Sequence, residues 1–193
     1  MRRSTTLLSI VALVATMIPA LPSMAQVSDV KINEIRIDQP STDNDEYFEL
    51  VGPAGQDLTG LTYVVIGDGA ATAGSGVIEA VVDLAGESVD SAGFFVAAEG
   101  TFTLGTANST GNLNFENSDN VTHLLVEGFS GADGDDLDTD DDGILDTTPW
   151  TNVVDSVALI ETVGSGELVY SSTQVGPDGS FVPGHVFVCD GTW

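Results

Sequence analysis

Leu61-Thr62-Tyr63-Val64-Val65-Ile66-Gly67 decides the class of fold. Its aromatic and β-branched side chains favour a pleated strand. Turn formers close it on both sides, Asp57-Leu58-Thr59-Gly60 before it and the run from Gly67-Asp68-Gly69 to Gly74-Ser75-Gly76 after it. The glycine run reads as a plain hairpin tip, because it has neither the strand-to-helix context nor the lysine of a phosphate-cradling loop. The same grammar repeats outward in both directions. Short stretches rich in Val, Ile, Phe and Tyr, at 30–37, 47–51, 77–84, 94–98, 121–127, 153–160 and 186–188, alternate with Gly, Asp, Asn, Ser and Pro clusters, and no helical period of useful length intervenes. The chain is therefore expected to be all-β.

The most informative connection is Gly131-Ala132-Asp133-Gly134-Asp135-Asp136-Leu137-Asp138-Thr139-Asp140-Asp141-Asp142-Gly143-Ile144-Leu145-Asp146, in which eight of the fourteen residues from Asp133 onward are aspartates. Asp138, Asp140 and Asp142 stand at every second position, with Gly143 next and Asp146 three further on. That is the spacing of a calcium loop. Ca²⁺ takes six to eight oxygens at about 2.3–2.6 Å, and alternate residues of a tightly turning loop aim their carboxylates at one point. The twelfth position counted from Asp138 is Pro149 where an EF-hand has a bidentate Glu, so Asp136, Asp146, a carbonyl near Ile144 or water must complete the shell. The expected ligands are Asp136, Asp138, Asp140, Asp142 and Asp146, with a structural Ca²⁺ held at about 10⁻⁴–10⁻³ M, the range of extracellular modules. A solvated acidic loop is the alternative. Mutual repulsion, with nothing basic nearby in sequence, favours the ion.

Residues 1–25 read as a secretory signal peptide. Arg2-Arg3 supplies the positive start, 7–18 an apolar core too short for a span, and Ser23-Met24-Ala25 a small-x-small cleavage site. The mature chain is expected to begin at Gln26, to keep no transmembrane segment, and to be secreted or held in the cell envelope. Its formal net charge of −26 becomes two units more negative when Arg2 and Arg3 leave, with Lys31 and Arg36 as the remaining cations. Such a field repels nucleic acid, so no direct nucleic-acid binding is expected. The 42% hydrophobic content is enough for one ordinary core over 26–193. Cys189 is the only cysteine, which leaves calcium as the expected staple.

Other connections carry weaker signals. The 38–45 loop is rich in turn formers, and its carboxylates have no basic partner in sequence. The Asn-rich 106–119 segment reads as a binding or mobile loop. Asn108-Ser109-Thr110 and Asn120-Val121-Thr122 match the glycosylation sequon, and Gly176-Pro177-Asp178-Gly179 matches a type I turn. The apolar ending through Cys189 to Trp193 suggests either pairing into a sheet or a fragment of a longer frame.

Ile32-Asn33-Glu34-Ile35, then Asp45-Glu46-Tyr47-Phe48-Glu49-Leu50, then Asp57-Leu58-Thr59-Gly60-Leu61 resemble, in order and spacing, the lamin tail domain family. The stretches Asp138 to Leu145, Thr148-Pro149-Trp150 and Asp155-Ser156-Val157-Ala158 are similar to the calcium-type insert and closing strand of its exported bacterial members. The resemblance covers roughly 30–160 and implies an immunoglobulin-like β-sandwich, 26–193, with an Asp-rich calcium-loop insertion at 131–149. Leu61 stands where the family commonly has tryptophan. Exported members often sit beside nucleases or phosphatases.

No catalytic constellation emerges. Glu46 and Glu49 read as edge or solvent-face residues and Glu34 as a lone carboxylate, while His123 and His185 fall in separate apolar strands without local partners. Trp150 and Trp193 read as core or capping aromatics. The expectation is a non-catalytic binding or structural module with an extracellular or envelope partner. The alternative is the accessory domain of an exported nuclease or phosphodiesterase whose catalytic domain lies outside these residues.

Overall fold

The computed structural model describes residues 29–68, 74–161 and 168–193. The signal peptide expected over 1–25, and the tip of the glycine loop, lie outside the described residues. Among the described residues ten strands form: β1 Lys31–Arg36, β2 Tyr47–Val51, β3 Leu61–Gly67, β4 Val77–Asp83, β5 Phe94–Glu99, β6 Ser109–Gly111, β7 Val121–Glu127, β8 Asn152–Leu159, β9 Gln174–Val175 and β10 His185–Phe187. They make two five-stranded sheets, in the orders β10-β1-β2-β5-β6 and β4-β3-β7-β8-β9. The fold is an all-β sandwich, and eight of its strands coincide with the expected ones to within about a residue at each end. Among the described residues no helix is long and apolar enough to cross a membrane.

Two of the short strands, β6 and β9, were not legible in the sequence. β6 and β9 each pair in parallel with a neighbour, β5 and β8 respectively, through two or three residues supplied by loop-like sequence. The 106–119 segment is correspondingly anchored. Leu113 and Phe115 are buried in the main core and pin the segment there, while most of its other residues stay exposed or half-buried. The hydrogen-bonded turn near Pro177 lies at 178–181, where the Phe181 N–H donates to the Asp178 carbonyl, two residues later than the spacing of Gly176-Pro177-Asp178-Gly179 implies. Asn120 of the second sequon is buried and its side-chain oxygen accepts the Glu161 N–H at 2.7 Å, a position with no room for a glycan.

The sandwich closes on alternate side chains. Ile35, Phe48, Leu50 and Phe95 from the first sheet meet Leu61, Tyr63, Val65, Leu125 and Val157 from the second. Phe48 lies flat on Tyr63 at a ring separation of 3.7 Å, joining the two layers. Trp193 packs against the edge of this core.

β3 and β7 are buried along almost their whole length, which one buried face cannot explain. Their alternate residues Val64, Ile66, Leu124 and Val126 point the other way, and with Ile78 they form a second apolar cluster on the outer face of the second sheet. An antiparallel sheet ordinarily leaves one face to water. Here Leu137 of the Asp-rich insert joins that cluster, and Phe129, Leu145, Trp150 and Tyr170 pack around it.

Candidate metal centre

The insert is placed by backbone pairing with the beginning of β4. The Gly134 N–H donates to the Ile78 carbonyl at 2.7 Å, the Ile78 N–H to Asp135 at 2.9 Å, and the Leu137 N–H to Gly76 at 3.0 Å. This extended stretch directs Leu137 into the outer apolar cluster and brings Asp138 in beside Gly76. A Cβ on Gly76 would stand 2.6 Å from that of Asp138, so the approach requires glycine.

Asp138 is completely buried, and its carboxylate accepts three hydrogen bonds. The donors are the N–H groups of Asp142 at 3.2 Å and Gly143 at 2.9 Å, and the Tyr170 hydroxyl at 2.8 Å. Wrapping the chain back over one carboxylate needs left-handed backbone, found at Asp141 (φ 52°) and Gly143 (φ 85°). The Asp146 N–H then returns to the Leu137 carbonyl at 2.7 Å, and its carboxylate accepts from the N–H and hydroxyl of Thr139.

The result is convergence. One oxygen from each of Asp138, Asp140 and Asp146 lies within 4.8 Å of the others. Two ligands of one Ca²⁺ can be at most about 5 Å apart, twice the Ca–O distance, so these three carboxylates fit a single ion. Repulsion, chiefly from Asp142 and then from Asp146 and Asp138, raises the pKa of Asp140. The Thr139 hydrogen bonds lower that of Asp146.

Of the five expected ligands, the structure brings together these three. Asp136 instead accepts the Asp138 N–H at 3.1 Å, and Asp142 accepts the Ile144 N–H at 2.8 Å, so both shape the turn. Asp141, not among the expected ligands, receives the Ser75 N–H at 2.8 Å and ties the loop to the strand entering β4.

A second acidic cluster had no signature in the sequence. Asp68 at the end of β3, Glu79 in β4 and Glu116 in the 113–119 segment bring one oxygen each within 4.8 Å of the others. Glu79 and Glu116 also line a cavity of about 530 Å³ with Asp43, Glu46, Glu99 and Phe115. Burial, a hydrogen bond with Asp119 and the charges of Asp119 and Glu116 raise the Asp68 pKa to about 6. Asp68 and Glu79 flank one hairpin and Glu116 comes from a separate segment, so the cluster forms only when the two meet.

Glu46 corrects the sequence expectation, because it is buried and not an edge or solvent-face residue. Its carboxylate accepts the Phe115 N–H at 3.1 Å. Burial first, and the charges of Glu99, Asp43 and Asp38 in addition, push its pKa to about 7 against the lowering effect of that hydrogen bond. Since the folded state holds this proton more tightly than the unfolded chain, stability contributed by Glu46 is present below about pH 4.5 and lost as pH rises towards 7. Glu46→Gln is therefore expected to gain stability over the unmodified chain at pH 8 but not at pH 4.5. Urea midpoints at both values check this, and a pH-independent difference would contradict it.

The histidines also have partners. His123 is fully buried with Nδ1 3.0 Å from the Tyr63 hydroxyl, and burial lowers its pKa to about 3. His185 was expected to be isolated but is not. Its Nε2 lies 2.7 Å from Glu34, which also accepts the Tyr47 hydroxyl, across β10, β1 and β2 on the outer face of the first sheet. Glu49 accepts from the Asn33 side chain at 2.7 Å on that face.

Comparison with protein-family models, curated proteins and solved structures finds no match to the chain.

Proposed function

We propose that the chain is a non-catalytic, secreted, calcium-stabilised β-sandwich module of the immunoglobulin-like, lamin-tail type, with a binding or structural role outside the cell or in its envelope. The observation carrying this reading is the convergence of Asp138, Asp140 and Asp146 around one point, with Asp138 buried and the loop locked to the sheet. Asp138, Asp140 and Asp146 would hold the ion, and carbonyls and water would complete its shell. Ca²⁺ would supply the positive charge that this part of the sequence lacks.

A ligand bound only by the folded loop stabilises by mass action. At ~5 mM Ca²⁺, a dissociation constant of about 10⁻⁴–10⁻³ M gives about 1–2 kcal/mol, a rise in melting temperature of roughly 2–9 °C for a domain of this size. Mg²⁺ should do less, because it keeps its water and demands octahedral geometry. Asp140→Ala should remove most of the response. Glu87→Gln, outside both acidic clusters, should retain it; Asp68 is unsuitable as a control because it belongs to the second cluster. Identical melting curves in chelator and calcium would refute the reading.

The same preparation is expected to turn over neither plasmid DNA nor fluorogenic phosphate esters and glycosides in Ca²⁺ or Mg²⁺. Hydrolysis needs stabilisation of developing negative charge, and a strongly anionic chain whose mature part has only Lys31 and Arg36 as permanent cations opposes it. Turnover that disappears on mutating a residue of this chain would overturn the non-catalytic assignment.

A further inference from the structure

We propose that the 129–150 segment is a cation-held cover, and that withdrawing the cation bares the outer apolar face of the second sheet. This rests on the calcium reading above and adds what the ion controls. Beneath the segment lie Val64, Ile66, Ile78, Leu124 and Val126, all buried and all outside the main inter-sheet core. Leu137 is the cover's inward plug, adjacent in the chain to the buried Asp138, so the contacts that gather the carboxylates also seat the plug.

The cover is built to move without dismantling the sandwich. Its two ends meet at a closed stem, where the Ser130 N–H donates to Pro149 at 2.8 Å and the Thr151 N–H to Glu127 at 2.8 Å. Beyond the stem, its polar fastenings among the described residues include three backbone bonds to the 76–78 edge, the Tyr170 hydroxyl on Asp138 and the Ser75 N–H on Asp141. Two opposing forces act on it. Burial of Leu137, with the packing of Phe129, Leu145 and Trp150, closes it, whereas repulsion among eight aspartates without a lysine or arginine in the segment opens it. A divalent cation at the Asp138–Asp140–Asp146 point cancels the second force and leaves the first.

The test uses the full mature chain in saturating Ca²⁺ and in chelator, with three readouts. Titration calorimetry reports whether calcium binds, an environment-sensitive apolar dye reports exposed surface, and hydrogen exchange reports where the chain opens. Chelator is expected to raise dye fluorescence severalfold and to accelerate exchange about tenfold or more at 134–147 and at the 76–78 edge, with β1, β2 and β5 unchanged. Leu137→Ser should bind the dye even in saturating Ca²⁺, because its carboxylates are intact but its plug is gone. Calcium binding without any change in dye or exchange overturns the cover and leaves the calcium reading standing. Absence of binding heat together with an unchanged melting temperature removes both. Uniform acceleration across all strands, or a dye-silent but folded Leu137→Ser, also overturns the cover.

Discussion

In the Asp138→Ala protein the calcium-dependent rise in melting temperature is expected to disappear, and the protein should also be less stable in chelator. The second effect separates this residue from its neighbours. The Asp138 carboxylate is the shared acceptor for the Tyr170 hydroxyl and the N–H groups of Asp142 and Gly143. Removing it deletes three hydrogen bonds from the turn; the Asp142, Gly143 and Tyr170 donors are partly open to water, so each loss costs about 0.5–1.5 kcal/mol, and only while the segment is closed. Asp140→Ala should abolish the calcium response without that further loss, since its exposed carboxylate chiefly feels the repulsion of Asp142, Asp146 and Asp138. Melting curves of both variants in chelator and in calcium decide the point. Equal behaviour of the two would mean that Asp138 does not organise the loop.

Phe48→Ala should have the largest effect on stability, a loss of about 3–5 kcal/mol by urea unfolding. Phe48 is fully buried, lies flat against Tyr63 of the facing sheet and is tilted towards Phe95 at 6.5 Å. Truncation leaves a ring-sized void between the layers. It also removes one side of Tyr63, whose hydroxyl meets the buried His123. Phe187, on the outer face and 55% exposed, is the natural contrast. Its replacement by alanine should stay within about 0.5 kcal/mol. A loss below about 1 kcal/mol for Phe48→Ala would show that the rings do not bridge the sheets as described.

The sequence by itself determined whatever depends on neighbours along the chain. β-Branched and aromatic runs bounded by turn formers located eight strands, because pleating and turning are local events with local composition. The alternation of Asp138 and Asp140, Gly143 and the return at Asp146 located the candidate metal loop for the same reason. The tertiary structure decided what depends on segments meeting across space. It divided the aspartates into the convergent Asp138, Asp140 and Asp146 and the turn-forming Asp136 and Asp142, which equal spacing cannot distinguish. It gave His185 its carboxylate, buried Glu46 against Phe115, and brought Glu116 to Asp68 and Glu79 of the β3–β4 hairpin. Most consequentially, it turned an acidic insertion into a cover. Whether Val64 and Ile66 face water or protein is set by the backbone bonds that lay Leu137 against them, and those bonds join residues about sixty positions apart.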